Sequence, residues 1–336
     1  TRSCKLQDAS EILGKTTHEK ILWLADHYED AHFGVLGPSG ENWEGNRFAG
    51  IAISTENQLK SREPKPRFAG RGGMGNLMGS KNLVAIVAKA PDHKGRVSPV
   101  IKAVNMEISR GDGSRNYRDK RKNNGLGGTW RNYPPLHESG ILPEKNFMPQ
   151  GTEEAANQYR DTFEENYYVK DESCFKCGIA CHKNIYEAVE KNGKKKPGEF
   201  FVKLDYEPMN LMSTNLGIYN QAQTLEAVEL TDDMGFDSIS LGVVLGYAME
   251  YNERRDQGAS GEKILDGIKF GDFEGIMDLT RRCAEGNLPQ LGHGVMRLSE
   301  ELGETDYAMH CKGLELPAYL PETNPGYPFA IAGGHM

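Results

Sequence analysis

Gly70-Arg71-Gly72-Gly73-Met74-Gly75-Asn76-Leu77-Met78-Gly79-Ser80-Lys81 runs through Asn82 into Leu83-Val84-Ala85-Ile86-Val87-Ala88. Glycines this dense let backbone N–H groups approach a phosphate or an extended planar ligand. The apolar run that follows reads as a strand. Their order is informative. A dinucleotide fingerprint follows a strand and opens a helix, whereas this segment precedes a strand, so a Rossmann reading is poor. A ligand cradle and a glycine turn packed between strands both remain open. Upstream, Arg47 to Ile53 reads as a buried strand, 37–42 as a turn cluster, and 5–31 as helix around Ile21-Leu22-Trp23-Leu24-Ala25. The first part of the chain is therefore α+β.

Downstream the pattern changes. Residues 111–135 are polar, with Arg115, Arg118, Lys120, Arg121 and Lys122, and read as a solvated loop. Residues 191–198 read as a second exposed loop. Helical patterns are expected at 152–168, 182–191, 219–234, 238–255, 273–285 and 294–303, punctuated by Gly and Pro. No internal repeat is visible.

Composition narrows the function classes. Lys+Arg total 40 against 48 Asp+Glu, a net charge of −8, which argues against a general nucleic-acid binder. Mean hydropathy is −0.61, and no run reaches the ~18 apolar residues of a membrane span. Glycine contributes 39 of 336 residues, against an average of ~7%, consistent with tight turns and close backbone approach to a ligand. A cytoplasmic, ligand-binding globular protein is expected. The chain opens on Thr1 and closes on an apolar, glycine-rich stretch, 328–336, so a fragment of a longer chain is expected.

Three of the six cysteines form Cys174-Phe175-Lys176-Cys177-Gly178-Ile179-Ala180-Cys181, a C-x2-C-x3-C motif; Cys4, Cys283 and Cys311 are scattered. A chain this long can build its own core, so clustered thiols read as metal ligands rather than disulfide partners. Three thiolates can converge at a loop entering a helix, with a fourth ligand from elsewhere. A [4Fe–4S] cluster, a Cys3His zinc site using His182, and unligated thiols all fit the spacing.

Other candidates carry single charges. Asp232-Asp233-Met234-Gly235-Phe236-Asp237 lies between two helical patterns. Asp237 precedes Ser238 and reads as an N-cap, while Asp232 is open to ligand binding. Tyr206-Glu207-Pro208 and His310-Cys311-Lys312-Gly313 offer a carboxylate and a histidine suited to proton transfer, or to structural roles.

Together the islands at 37–41 (GPSGE), 70–83 (GRGGMGNLMGSKNL), 174–181, 232–237 (DDMGFD) and 310–317 (HCKGLELP) resemble the aldehyde ferredoxin oxidoreductase family of tungsten enzymes. The resemblance spans 37–317. It implies an α+β fold: the end of an N-terminal β-rich pterin-binding domain (1–105), a helical domain with the iron–sulfur motif (106–295), and the start of a second helical domain (296–336).

The resemblance further implies tungsten, or molybdenum, held by two pterins beside a [4Fe–4S] cluster. Arg71, Gly72 and Gly73 would lie along the pterin phosphates and their bridging magnesium. Asp232, Gly235 and Lys312 would contact pterin, and Cys174, Cys177 and Cys181 would ligate the cluster. Tyr206, Glu207 and His310 would face the substrate side, with Glu207 as proton acceptor and His310 as donor, or with these two roles exchanged. The implied reaction oxidises an aldehyde to a carboxylic acid and passes electrons to ferredoxin or an iron–sulfur partner subunit. An oligomer is expected, with no nucleic-acid partner and no membrane span. The family's second Asp-x-x-Gly-Leu motif, with its cluster cysteine, does not appear. A benzoyl-CoA-reducing branch would need a cysteine near Tyr206, and none lies between Cys181 and Cys283. An electron-transfer or zinc-stabilised scaffold subunit is the alternative outside enzymes.

Overall fold

A computed structural model describes residues 3–90, 98–111, 127–174, 181–324 and 326. Cys177, the basic positions 115–122 and the segment 328–336 lie outside the described residues. The first section places helix α1 (Thr17–His27) on a four-stranded antiparallel sheet of β1 (His32–Val35), β2 (Ile51–Ile53), β3 (Arg67–Ala69) and β4 (Ala85–Ala88), in the order β3-β2-β1-β4. Helix α1 starts where sequence chemistry says it should. Thr16 and Glu19 form a reciprocal capping box, which satisfies two of the free N–H groups of the first turn. Its inner face, Ile21 and Leu24, packs with Phe33, Val35 and Ala52 in a small core of its own. The helix is shorter than the 5–31 expected.

Between these strands lie short helices α2 (Pro38–Glu41), α3 (Glu56–Ser61) and α4 (Met74–Gly79), followed by α5 (Pro99–Arg110), α6 (Tyr133–Glu138) and α7 (Arg160–Asn166). Helix α4 touches its neighbours through glycine. The Gly75 N–H donates to Ala49 O at 3.0 Å, and a Cβ on Gly75 would lie 2.5 Å from the Gly50 carbonyl oxygen. The glycine-rich segment is thus both a turn and a close-packed helix.

A second sheet corrects the sequence reading. Residues 182–191, expected as helix, form strand β6 (His182–Lys191) between β5 (Tyr167–Glu172) and β7 (Lys194–Leu204). The reason is the Asn192-Gly193 turn, with φ of 55° and 66°; positive φ at both central residues matches the twist of a two-residue hairpin. The lysine-rich stretch taken as a loop is the tip and second arm of that hairpin. Likewise 152–168 is a 3-10 turn, then α7, then the start of β5.

The rest is helical: α8 (Tyr206–Leu211), α9 (Gln221–Met234), α10 (Ser238–Asp256), α11 (Phe273–Ala284), α12 (Pro289–Gly292) and α13 (Val295–Leu302), then a small ladder of β8 (His310–Cys311) and β9 (Leu314–Glu315). Helix α10 is buried almost all round from Ser238 to Asn252, as a central core helix must be. Cys283 lies fully buried in that core; its thiol hydrogen-bonds Asn46 at 3.2 Å. Among the described residues, no helix is long and apolar enough to cross a membrane.

Candidate cofactor site

The turn between α9 and α10 is where the two parts of the chain meet. Helix α9 ends on Gly235 at φ 79°, whose N–H closes onto the Thr231 and Asp232 carbonyls at 3.1 Å. That left-handed conformation suits glycine. Its Cβ would also lie 2.8 Å from Gly37 Cα. The Gly50 N–H donates to Gly235 O at 2.9 Å, and Asp237 N–H to Phe48 O at 2.9 Å. The 37–41 and 232–237 islands are therefore packed backbone on backbone. Thr17 Oγ1 adds a bond to Asp232 O at 2.9 Å.

Arg71 ties in two more islands. Its Nε donates to Asp237 Oδ2 at 3.1 Å and its Nη2 to the Glu315 carbonyl at 2.6 Å. Asp237 caps α10 as expected: its Oδ1 accepts the Ile239 N–H at 3.1 Å. Gly72 is exposed at φ 85°, and a Cβ there would meet nothing within 4 Å. Beside Arg71 lies a crevice of about 190 Å³, whose lining includes Arg67, Lys203, Asp205, Asp232 and Asp237. Burial pushes the Asp232 carboxyl up to about 6, and Asp233 behind it to about 7. Asp232 is half-buried on the wall of this crevice, and among the described residues its side chain receives no hydrogen bond.

Arg67 and Lys203 also line a larger cleft of about 760 Å³ between the two sheets, with Cys174 and His182 on its wall. Neither cation was singled out from sequence; both are strand residues, Arg67 just before the 70–83 island and Lys203 just before Tyr206. Cys174 is exposed and Cys181 half-buried, at the two ends of the β5–β6 connection, and both thiols are free. Cys181 leads directly into strand β6 rather than into the helix expected there. Burial lowers His182 to about 4, with the nearby Arg67 charge acting in the same direction. Among the described residues, no group of three or more His, Cys, Asp and Glu is arranged to hold a metal.

The proton-transfer candidates lie on neighbouring segments. Tyr206 and Glu207 open α8, against which 318–319 packs. The Tyr206 hydroxyl is fully buried and donates to Ala318 O at 2.5 Å. Tyr319 Oη approaches Glu207 Oε1 at 3.5 Å. Burial raises the Glu207 carboxyl above its ordinary range. His310 lies on β8, half-buried, and burial lowers its ring below the usual value. Its Nδ1 accepts the Gly313 N–H at 3.3 Å, so in the neutral ring the proton belongs on Nε2. Lys312, at φ 54°, is exposed at the tip of the β8–β9 turn. The structure thus brings Arg71 together with Asp237 and Glu315. It joins Glu207 to the segment after His310 by way of Tyr319, with no hydrogen bond from Glu207 to His310 itself.

By fold, the chain falls in a class that includes the active-site complex BamBC of benzoyl coenzyme A reductase, solved with 1,5-dienoyl-CoA. The TM-score is 0.64 at 18% identity, covering 93% of this chain and 47% of that one. At that identity the likeness is one of fold. Residues 114–334 match the family model "Aldehyde ferredoxin oxidoreductase, domains 2 & 3", and residues 1–90 match its N-terminal domain. The chain belongs to the aldehyde ferredoxin oxidoreductase family. Among curated relatives it is 33% identical to a tungsten-containing aldehyde ferredoxin oxidoreductase of Pyrococcus abyssi, over 98% of this chain and 52% of that protein. It is 27% identical to the WOR-like subunit of an aliphatic sulfonate oxidoreductase of Pyrococcus furiosus, over 77% and 43%. The chain spans about half the length of the tungsten-containing relatives it matches.

Proposed function

We propose that this chain forms part of a tungsten- or molybdenum-dependent enzyme that oxidises an aldehyde to a carboxylic acid. The observation that carries this reading is the convergence on Arg71 of segments 166 and 244 residues away, beside an open glycine turn and the Asp232 crevice. The residues present fit a pterin. Gly72 leaves room where a side chain would block a phosphate, and Asp232 needs N–H donors of the kind a pterin edge supplies. Arg71, Gly72 and Gly73 would lie along the phosphates and magnesium, and Asp232, Gly235 and Lys312 would hold the ring system. Cys174, Cys177 and Cys181 would ligate a [4Fe–4S] cluster.

When bound, the metal–pterin group would supply a two-electron acceptor, and a cluster held by Cys174, Cys177 and Cys181 would supply one-electron transfer toward ferredoxin or a partner subunit. The chain's own residues handle protons. Glu207, its carboxyl raised by burial, is suited to accept a proton, while Tyr319 orients it through Oε1. His310, with Nδ1 occupied by the Gly313 N–H, presents Nε2–H as donor to a carbonyl oxygen. Tyr206 anchors the first turn of α8 through Ala318 and so holds Glu207 in place. The test is aldehyde-dependent reduction of a low-potential dye, under anaerobic conditions, by protein from cells grown with tungstate. Reduction that depends on both aldehyde and metal is expected. A fully metallated protein that reduces no dye with any aldehyde contradicts the proposal.

A further inference from the structure

The carboxyl of Glu315 belongs to the 310–317 island but was not among its candidate residues. It is 3% exposed, and it sits where β9 meets the starts of two helices. Oε1 accepts the Val295 N–H at 3.0 Å, at the start of α13. Oε2 lies 2.7 Å from Ser240 Oγ in the first turn of α10. The same Ser240 Oγ lies 2.8 Å from Asp237 Oδ2. A serine hydroxyl has one hydrogen, so it can donate to only one of these two carboxyl oxygens. The other contact needs a proton of its own.

The neighbouring charges decide which carboxyl holds it. Asp237 already accepts on both oxygens, from the Arg71 guanidinium at Oδ2 and from the Ile239 N–H at Oδ1, so it takes the acceptor's part. Arg71 reaches Glu315 only at its backbone carbonyl. His310, directly across the ladder, the Cys311 thiol and Lys312 at the turn are the other titratable groups of this hairpin. Asp237 is the charged side chain facing Glu315 from α10. Burial raises the Glu315 carboxyl, in the same direction as the geometry.

We propose that Glu315 is a neutral carboxylic acid at physiological pH and acts as a positioning residue. It donates to Ser240, Ser240 donates to Asp237, and Asp237 accepts from Arg71. This chain of bonds locks the His310–Lys312 turn to the glycine-rich segment. The placement of His310 and Lys312 is thereby coupled to that of Arg71. The functional consequence rests on the pterin reading above; the protonation state does not.

The test has two parts, made on the full protein. Infrared difference spectra of Glu315→Gln against wild type at neutral pH should show loss of a protonated-carboxyl C=O band. If the lost bands are those of a carboxylate, the proposal is overturned. Released pterin is then quantified in Glu315→Gln, Glu315→Ala and Ser240→Ala. A glutamine amide can donate to Ser240 and accept from Val295, so Glu315→Gln should keep wild-type pterin occupancy and thermal stability. Ser240→Ala and Glu315→Ala should lose roughly fivefold in pterin affinity, the size of one lost hydrogen bond. Pterin loss in Glu315→Gln equal to that in Glu315→Ala would mean an ionised glutamate and sink the proposal. If Glu315→Ala fails to fold, Ser240→Ala carries the comparison. Wild type without pterin refutes the pterin reading and the coupling drawn from it, while the infrared result still decides the protonation state.

Discussion

Asp232 is a carboxyl whose environment works against its charge. Its value of about 6 stands above the ordinary 3.8, so between about pH 4 and 6 the folded state binds more protons than the unfolded state. Stability contributed by this group is greatest below that window and falls as pH rises through it. Without cofactor, Asp232→Asn should therefore stabilise the protein at pH 7 by ~1–3 kcal/mol and flatten its stability curve above pH 4. Urea denaturation across pH measures this. The same variant should lose pterin, and unchanged pterin content would make Asp232 a turn residue only. Glu207 calls for a different readout. Glu207→Gln should lower turnover per metal by ~10²–10⁴-fold with metal content intact; loss of metal with normal turnover per metal would assign it a structural role.

The elements differ in how much the sequence disclosed, and the reason is local versus non-local information. Helices α9 and α10 were legible because their signals are local: Asn220 caps one, Asp237 caps the other, and Gly235 ends the first. Strand β6 was misread because its arms carry charges at helix-compatible spacing, while the Asn192-Gly193 turn that specifies the hairpin was taken for loop. At the base of this hairpin's partner connection, Asp171 pairs with Arg160 at 2.9 Å and with Lys183, all three side chains being nearly buried. Asp171→Ala removes the carboxylate that Arg160 and Lys183 share, although Arg160 keeps Glu164 at 2.9 Å, so a loss of ~3–5 kcal/mol is expected in denaturant titration. An effect within that of a surface substitution would show that the triad is not buried as described. Gly75→Ala tests the close packing of α4: its methyl would overlap the Gly50 carbonyl, at a cost of ~1–3 kcal/mol.

At the scale of the whole molecule, the sequence islands marked which segments matter but not how they meet. Arg71, Asp237 and Glu315 carry no local pattern that links them; their meeting is produced by the packing of α10 against β9 and the glycine segment. Arg67 and Lys203, which line both cavities, were missed for the same reason. The cysteine spacing stands out in the sequence, with Cys177 outside the described residues, whereas the strands that flank it were not legible. As proposed above, this assembly would hold a metal–pterin group beside an iron–sulfur cluster. The most direct test is metal and pterin analysis of the purified full protein. We expect about one tungsten or molybdenum, about two pterins and about four iron atoms per chain. Protein that contains neither tungsten nor molybdenum after growth with both, and instead holds zinc at Cys174, Cys177 and Cys181, would contradict the account.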